Sequence, residues 1–205
     1  MNNIKIFDND LPADIDLSKE KEIGLDCEAL GLVIGRDPLT LIQLGLKSKK
    51  YYLIKLNREN YSAPNLVKVL SNPNTQFIMH YARQDLMWIK YHLNVNISNF
   101  FCTKLCSKIA RTASSFHGYK DLVKELCGKD ISKKEQQSDW GDPNLSEKQI
   151  SYAAQDTEFL FEIKEKLTKV LIREKRFELF EKCIKVLPVI VDMEIAGYKT
   201  STFEH

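Results

Sequence analysis

Ile23-Gly24-Leu25-Asp26-Cys27-Glu28 is the stretch on which the reading of this chain turns. An apolar run ends in two carboxylates spaced i, i+2. In a strand successive side chains alternate faces, so Asp26 and Glu28 project to one side and Leu25 and Cys27 to the other. The two acids stand about 7 Å apart along the backbone and repel each other unless a cation lies between them. Such a pair can begin a hard-metal site. Its other reading is the solvated edge of an antiparallel strand.

Outward from that stretch, residues 22–28 read as a buried strand, and Gly31 and Gly35-Arg36-Asp37-Pro38 as a turn. Leu39 to Leu46 reads as a second strand and Tyr51 to Leu56 as a third, with the polar Lys47–Lys50 linker making a hairpin and the three together a meander. Residues 62–70 form a short helix closed by Asn72-Pro73-Asn74. Gln76 to His80 is a fourth strand between helices, expected to run parallel to a neighbour. From Ala82 the pattern is helical, with apolar stripes at Leu86, Ile89 and Leu93, at Leu105 and Ile109, and at Leu122, Val123, Leu126 and Cys127 before Gly128. Residues 129–145 are polar and turn-rich. Ser146-Glu147-Lys148-Gln149 fits a cap before one long helix through Ile150, Ala154, Thr157, Phe161 and Leu167. A last helix spans about 176–196, kinked at Pro188 and stopped by Gly197. Strands followed by helices argue an α/β fold with a mixed central sheet.

At 205 residues, 43% hydrophobic and 28% charged, the chain fits one large domain with a helical appendage. No apolar run approaches the length of a transmembrane helix, and the polar, acidic N-terminus has no signal-peptide core, so a cytoplasmic location and no membrane partner are expected. The five cysteines, Cys27, Cys102, Cys106, Cys127 and Cys183, are read as unpaired, small, buried hydrophobes, since no further Cys or His stands at zinc spacing. A net charge of +2 does not by itself mark a nucleic-acid binder.

Two further positions carry acids of interest. Asp85 falls in the first turn of a helix after a strand, where open α/β sheets place ligands; a dipole-favoured acid is the alternative. Tyr152 and Asp156 stand four apart on one helix face, with small Ala153 and Ala154 between them; a surface pair is the alternative.

The ordered set is more specific than any of its parts. I-G-L-D-C-E, H-Y-A-R-Q-D-L and Y-A-A-Q-D-T, joined by R-D-P-L-T-L-I-Q-L and E-Q-Q-S-D-W, resemble the three motifs of the DEDD exonuclease superfamily in its DEDDy branch, nearest to the ribonuclease D family of 3′-to-5′ exoribonucleases. The resemblance covers roughly residues 1–170. It implies an RNase H-like exonuclease fold over 1–172, with 173–205 as a helical C-terminal extension. It also implies two divalent ions, Mg²⁺ or Mn²⁺, one on Asp26, Glu28 and Asp156 and the second on Asp26 and Asp85, with Tyr152 orienting the attacking water. Oxygen donors suit such ions. For these roles, three segments some 60 to 70 residues apart must converge on the end of the first strand.

The implied partner is the single-stranded 3′ end of RNA, in trimming or turnover of tRNA or other structured RNA. Candidate substrate contacts are Leu30 as a wedge against the terminal base, His80 toward a phosphate or the terminal ribose, and Gln137 and Trp140 along the strand channel, with Trp140 otherwise a core residue. Two departures stand out. Cys102-Thr103 replaces the family's frequent Asp-Thr, which bears on local packing and not on the metal site. The helical nucleic-acid-binding domains of ribonuclease D do not follow within these residues, so a stand-alone domain with a weaker grip on substrate is expected. The tail V-L-P-V-I-V-D-M-E-I-A-G-Y-K-T resembles instead the segment after the proofreading domain of family A DNA polymerases. The alternatives are therefore a DNA 3′-to-5′ exonuclease and a nucleic-acid-binding module without catalysis.

Overall fold

The computed structural model describes residues 3–132 and 134–204. Six strands, β1 (Ile4–Asp8), β2 (Glu22–Ala29), β3 (Leu39–Gly45), β4 (Tyr51–Lys55), β5 (Gln76–Met79) and β6 (Phe100–Cys102), form one sheet in the order β1-β4-β3-β2-β5-β6. The expected meander is its middle: β2 pairs antiparallel with β3, and β3 with β4. β5 runs parallel to both β2 and β6, and β1 parallel to β4. β3 is buried at every position, as a central strand covered on both faces must be. The two outer strands were not expected from the sequence. β1 is largely exposed and β6 has three residues, too few to show a period.

Alternation along β5 shows the layers. Phe77 joins a core with Leu25, Ile42, Leu66 and Trp88, built by α1 (Pro64–Leu70) and α2 (Ala82–Leu93). Ile78 joins a second core with Phe101, Cys106, Leu160, Ile163 and Leu167, built by α3 (Thr103–Ala110) and later helices. The stripe near residue 122 forms a short helix, α4 (Tyr119–Leu122), that runs on as a wider π-helical turn, Val123–Cys127. Gly128 ends it at a φ of 65°, which glycine adopts without strain.

The single long helix expected after Ser146 is two helices. α5 spans Glu147–Glu158 and α6 spans Leu160–Arg173, separated at Phe159 (φ −97°, ψ −1°). The break has a side-chain cause. The Tyr119 hydroxyl donates to the Gln155 carbonyl at 2.9 Å and accepts from the Phe159 amide at 3.2 Å. Those two backbone groups are the i−4 and i partners of an uninterrupted helix, so the phenol stands in the ladder between them.

α7 (Phe177–Ile195) contains Pro188 and continues through it. It lies along α2, with Val191 buried, Arg83 Nη1 2.6 Å from Glu194 Oε1, and Lys90 paired with Asp192. Gly197 follows it at a φ of 85°. No described helix is long and apolar enough to cross a membrane.

Candidate active site

α5 packs across β2 and β3, and two glycines, near the start of β2 and at the end of β3, permit the close approach. A Cβ on Gly45 would stand 2.3 Å from Thr157 Oγ1, and one on Gly24 3.1 Å from the Thr157 carbonyl. α5 starts at a capping box, with Ser146 and Gln149 satisfying each other's backbone amides. Gln149 also donates from Nε2 to the Asp139 carbonyl at 2.9 Å, tying the polar 139–143 segment to the helix start. The 153 and 157 positions thus face the sheet, and Asp156 comes down beside β2.

One carboxylate oxygen from each of Asp26, Glu28 and Asp156 lies within 4.8 Å of the other two. Two oxygens on one Mg²⁺ are at most about 4 Å apart, so a small rotamer change closes the three onto a single ion. Burial, followed by the charges of Asp85, Asp156 and Glu28, pushes the Asp26 carboxyl well above the usual range. Burial, followed by Asp156 and Asp85, does the same to Glu28. Asp85 is outside the three-oxygen group. It sits beside Cys27 at the flank of β2 and is 4% exposed. Burial raises its pKa as well, and its Oδ2 is buried with no hydrogen-bond partner among the described residues. An oxygen-only donor set, crowded acids that resist ionisation, and an orphaned buried carboxylate oxygen fit hard divalent cations.

Tyr152, one helical turn before Asp156, donates from its hydroxyl to that carboxylate; burial, then the nearby acids, raises its pKa strongly. Its ring lies 6.1 Å from that of Trp140. Trp140 itself is 4% exposed and packs with Leu41, Leu53 and Ala153, so it takes the core reading and backs Tyr152 from behind. Leu30 is 41% exposed at the rim, its methyls against Gly141. His80 Nδ1 is 2.9 Å from the Thr103 hydroxyl, which is 3.1 Å from the Met79 carbonyl. Gln137 is exposed on the 3₁₀ turn Lys134–Gln137. Cys102 occupies the departure from the motif, where its sulfur caps α3 by accepting from the Leu105 amide at 3.4 Å. All five cysteines are free; Cys102 and Cys106 are buried, and Cys27, Cys127 and Cys183 are half-buried.

Three nearby residues escaped the sequence reading. Tyr119, described above, gave no motif signal. Gln43 is fully buried directly opposite Asp26 and looked like one polar residue in an apolar strand. Tyr81 holds a left-handed φ of 66° beside His80, a strain of about 1–3 kcal/mol for a non-glycine, with Lys104 Nζ 4.0 Å from its ring centre.

A family model described as 3′-5′ exonuclease matches residues 5–172. The chain belongs to the 3′-5′ exonuclease family. Ribonuclease D of Xanthomonas oryzae pv. oryzae is 30% identical over 166 residues, covering 78% of this chain and 43% of the relative, so this chain spans less than half of that protein. NrnC of Brucella melitensis superposes with a TM-score of 0.95 at 33% identity, with 100% of both chains covered. NrnC has also been described with bound Mg²⁺ and bound to pGG. Escherichia coli RNase D shares the fold, with a TM-score of 0.75 at 21% identity over 85% of this chain and 46% of that one. The mixed sheet and its covering helices are thus the RNase H-like exonuclease fold.

Proposed function

We propose that this chain is a divalent-metal-dependent 3′-to-5′ exoribonuclease that removes nucleotides from single-stranded RNA 3′ ends. The observation that carries the reading is the meeting of Asp26, Glu28 and Asp156 within 4.8 Å, with Asp85 buried alongside. Asp26, Glu28 and Asp156 would hold one Mg²⁺ or Mn²⁺, and Asp26 with Asp85 a second. Bound there, such ions supply an activated water and offset charge on the departing 3′ oxygen. The protein's own residues do the positioning. Tyr152, its pKa pushed up, keeps its proton at neutral pH and orients water through a hydrogen bond, not as a base. Leu30 offers an apolar edge to the terminal base, His80 a ring nitrogen near the terminal phosphate or ribose, and Gln137 an amide along the strand.

The relative bound to pGG supports short RNA ends as substrates of this exonuclease, and ribonuclease D supports trimming or turnover of structured RNA such as tRNA precursors. Residues 1–172 form the catalytic domain in this reading, and 173–205 a helical extension along α2. Free cysteines agree with a reducing, cytoplasmic setting.

The test is 3′-labelled single-stranded RNA and DNA incubated with the protein in Mg²⁺ or Mn²⁺, then in EDTA. Metal-dependent loss of 3′ nucleotides from RNA is expected, abolished in folded Asp26→Asn and Asp156→Asn variants. Preference for DNA would favour a DNA exonuclease, and binding without cleavage an inactive module. Full activity in either variant would overturn the assignment.

A further inference from the structure

Gln43 lies mid-way along β3, fully buried, and neither the nitrogen nor the oxygen of its side-chain amide has a hydrogen-bond partner among the described residues. Buried amides in folded proteins are almost always satisfied, and an apolar side chain of the same size would fill this place without stranding two polar atoms. The strand register offers a reason for an amide here. Gln43 is the direct partner of Asp26 across the β2–β3 ladder. Directly opposed residues share a face, with Cβ atoms about 4.5–5.5 Å apart. Its neighbours on that face identify which one it is. Leu41 packs with Trp140 and Ala153, and a Cβ on Gly45 would strike Thr157. The amide therefore sits under α5, on the side that carries Tyr152 and Asp156, behind the acid common to both sets of proposed metal ligands.

We propose that Gln43 is a positioning residue for Asp26: its amide nitrogen donates to the Asp26 carboxylate when that carboxylate holds a divalent cation, and so fixes which oxygen faces the ion. The inference rests on the metal-cage reading. A ligating carboxylate keeps lone pairs for further donors, and the amide is the donor built beside this one. Drawing Asp26, Glu28 and Asp156 together onto an ion moves Asp26, which gives the stranded amide its partner. Groups that orient a metal ligand in this way typically matter about 10–100-fold in metal affinity.

The experiment is calorimetric titration of Mg²⁺ and Mn²⁺ into the wild-type chain, Gln43→Met, Gln43→Leu and Asp26→Asn, with thermal unfolding of each metal-free protein. Gln43→Met is expected to bind either ion about 10-fold more weakly or worse, while its metal-free unfolding temperature holds or rises, because an unsatisfied amide has been removed. A residue that merely fills the core would give the opposite pattern: lower metal-free stability with wild-type metal affinity, which overturns the proposal. Failure of both apolar variants to fold without metal also overturns it, because the amide would then be holding the apo fold. Equal metal binding by wild type and Asp26→Asn would overturn the metal cage itself. Wild-type binding lost in Asp26→Asn but kept in both Gln43 variants would overturn only the role of Gln43.

Discussion

Replacing Tyr119 by Phe keeps the ring and removes one hydroxyl, and the structure says what that hydroxyl does. It bridges the Gln155 carbonyl and the Phe159 amide, at 2.9 Å and 3.2 Å, in the gap between α5 and α6. Each hydrogen bond is worth about 0.5–1.5 kcal/mol net, and a buried backbone group left without a partner costs about 1–3 kcal/mol. If the gap stays open, the variant should lose about 1–3 kcal/mol. For a chain of this size that lowers the unfolding midpoint by about 2–4 °C per kcal/mol. If instead the helix closes its own i-to-i−4 bond, much of that loss is recovered. Closure, however, turns the segment that carries Gln155 and its neighbour Asp156, and the carboxylate leaves its 4.8 Å grouping with Asp26 and Glu28. Urea unfolding, read as a midpoint shift at constant slope, measures the first outcome, and Mg²⁺ titration measures the second. A Tyr119→Phe protein with both wild-type stability and wild-type Mg²⁺ affinity would refute the claim that this phenol makes the break.

Gly45→Ala places a methyl 2.3 Å from Thr157 Oγ1 and should cost about 1–3 kcal/mol by overpacking; adding Thr157→Ala should recover part of it, as a double-mutant cycle in urea would show. The metal-free protein should lose stability as pH rises. Asp26, Glu28 and Asp85 have folded pKa values above their unfolded values of 3.8, 4.5 and 3.8, chiefly through burial, so the folded state binds more protons and stability falls from near those unfolded values upward until the raised ones are passed. Saturating Mg²⁺ should flatten that fall, and a metal-free midpoint that climbs between about pH 5 and about pH 8 would contradict it. Tyr152→Phe should slow turnover by roughly 10²-fold if its hydroxyl orients water, with Mg²⁺ affinity largely kept; lost affinity in calorimetry would contradict that role.

Much of this was legible in the sequence, for identifiable reasons. β2 to β5 announce themselves by apolar runs between turn residues, and Ser146 with Gln149 by the spacing of a capping box. The candidate acids stood out because their spacings are local: i, i+2 on a strand for Asp26 and Glu28, i, i+4 on a helix for Tyr152 and Asp156. What stayed hidden is not local. β1 and β6 earn their places only by pairing with β4 and β5. The break at Phe159 comes from Tyr119, a residue 40 positions away, and nothing in the 146–170 sequence forecasts it. The orphaned amide of Gln43 is visible only once β3 is set beside β2. Trp140 was open between two readings until its burial against Leu41 and Ala153 chose the core.

The central claim is that Asp26, Glu28 and Asp156 form a cation site at the end of β2. Anomalous diffraction from crystals grown with Mn²⁺ tests it most directly. A peak coordinated by oxygens of all three carboxylates is expected, absent from Asp26→Asn crystals grown alike. Mn²⁺ bound elsewhere, with these carboxylates left unligated, would contradict it.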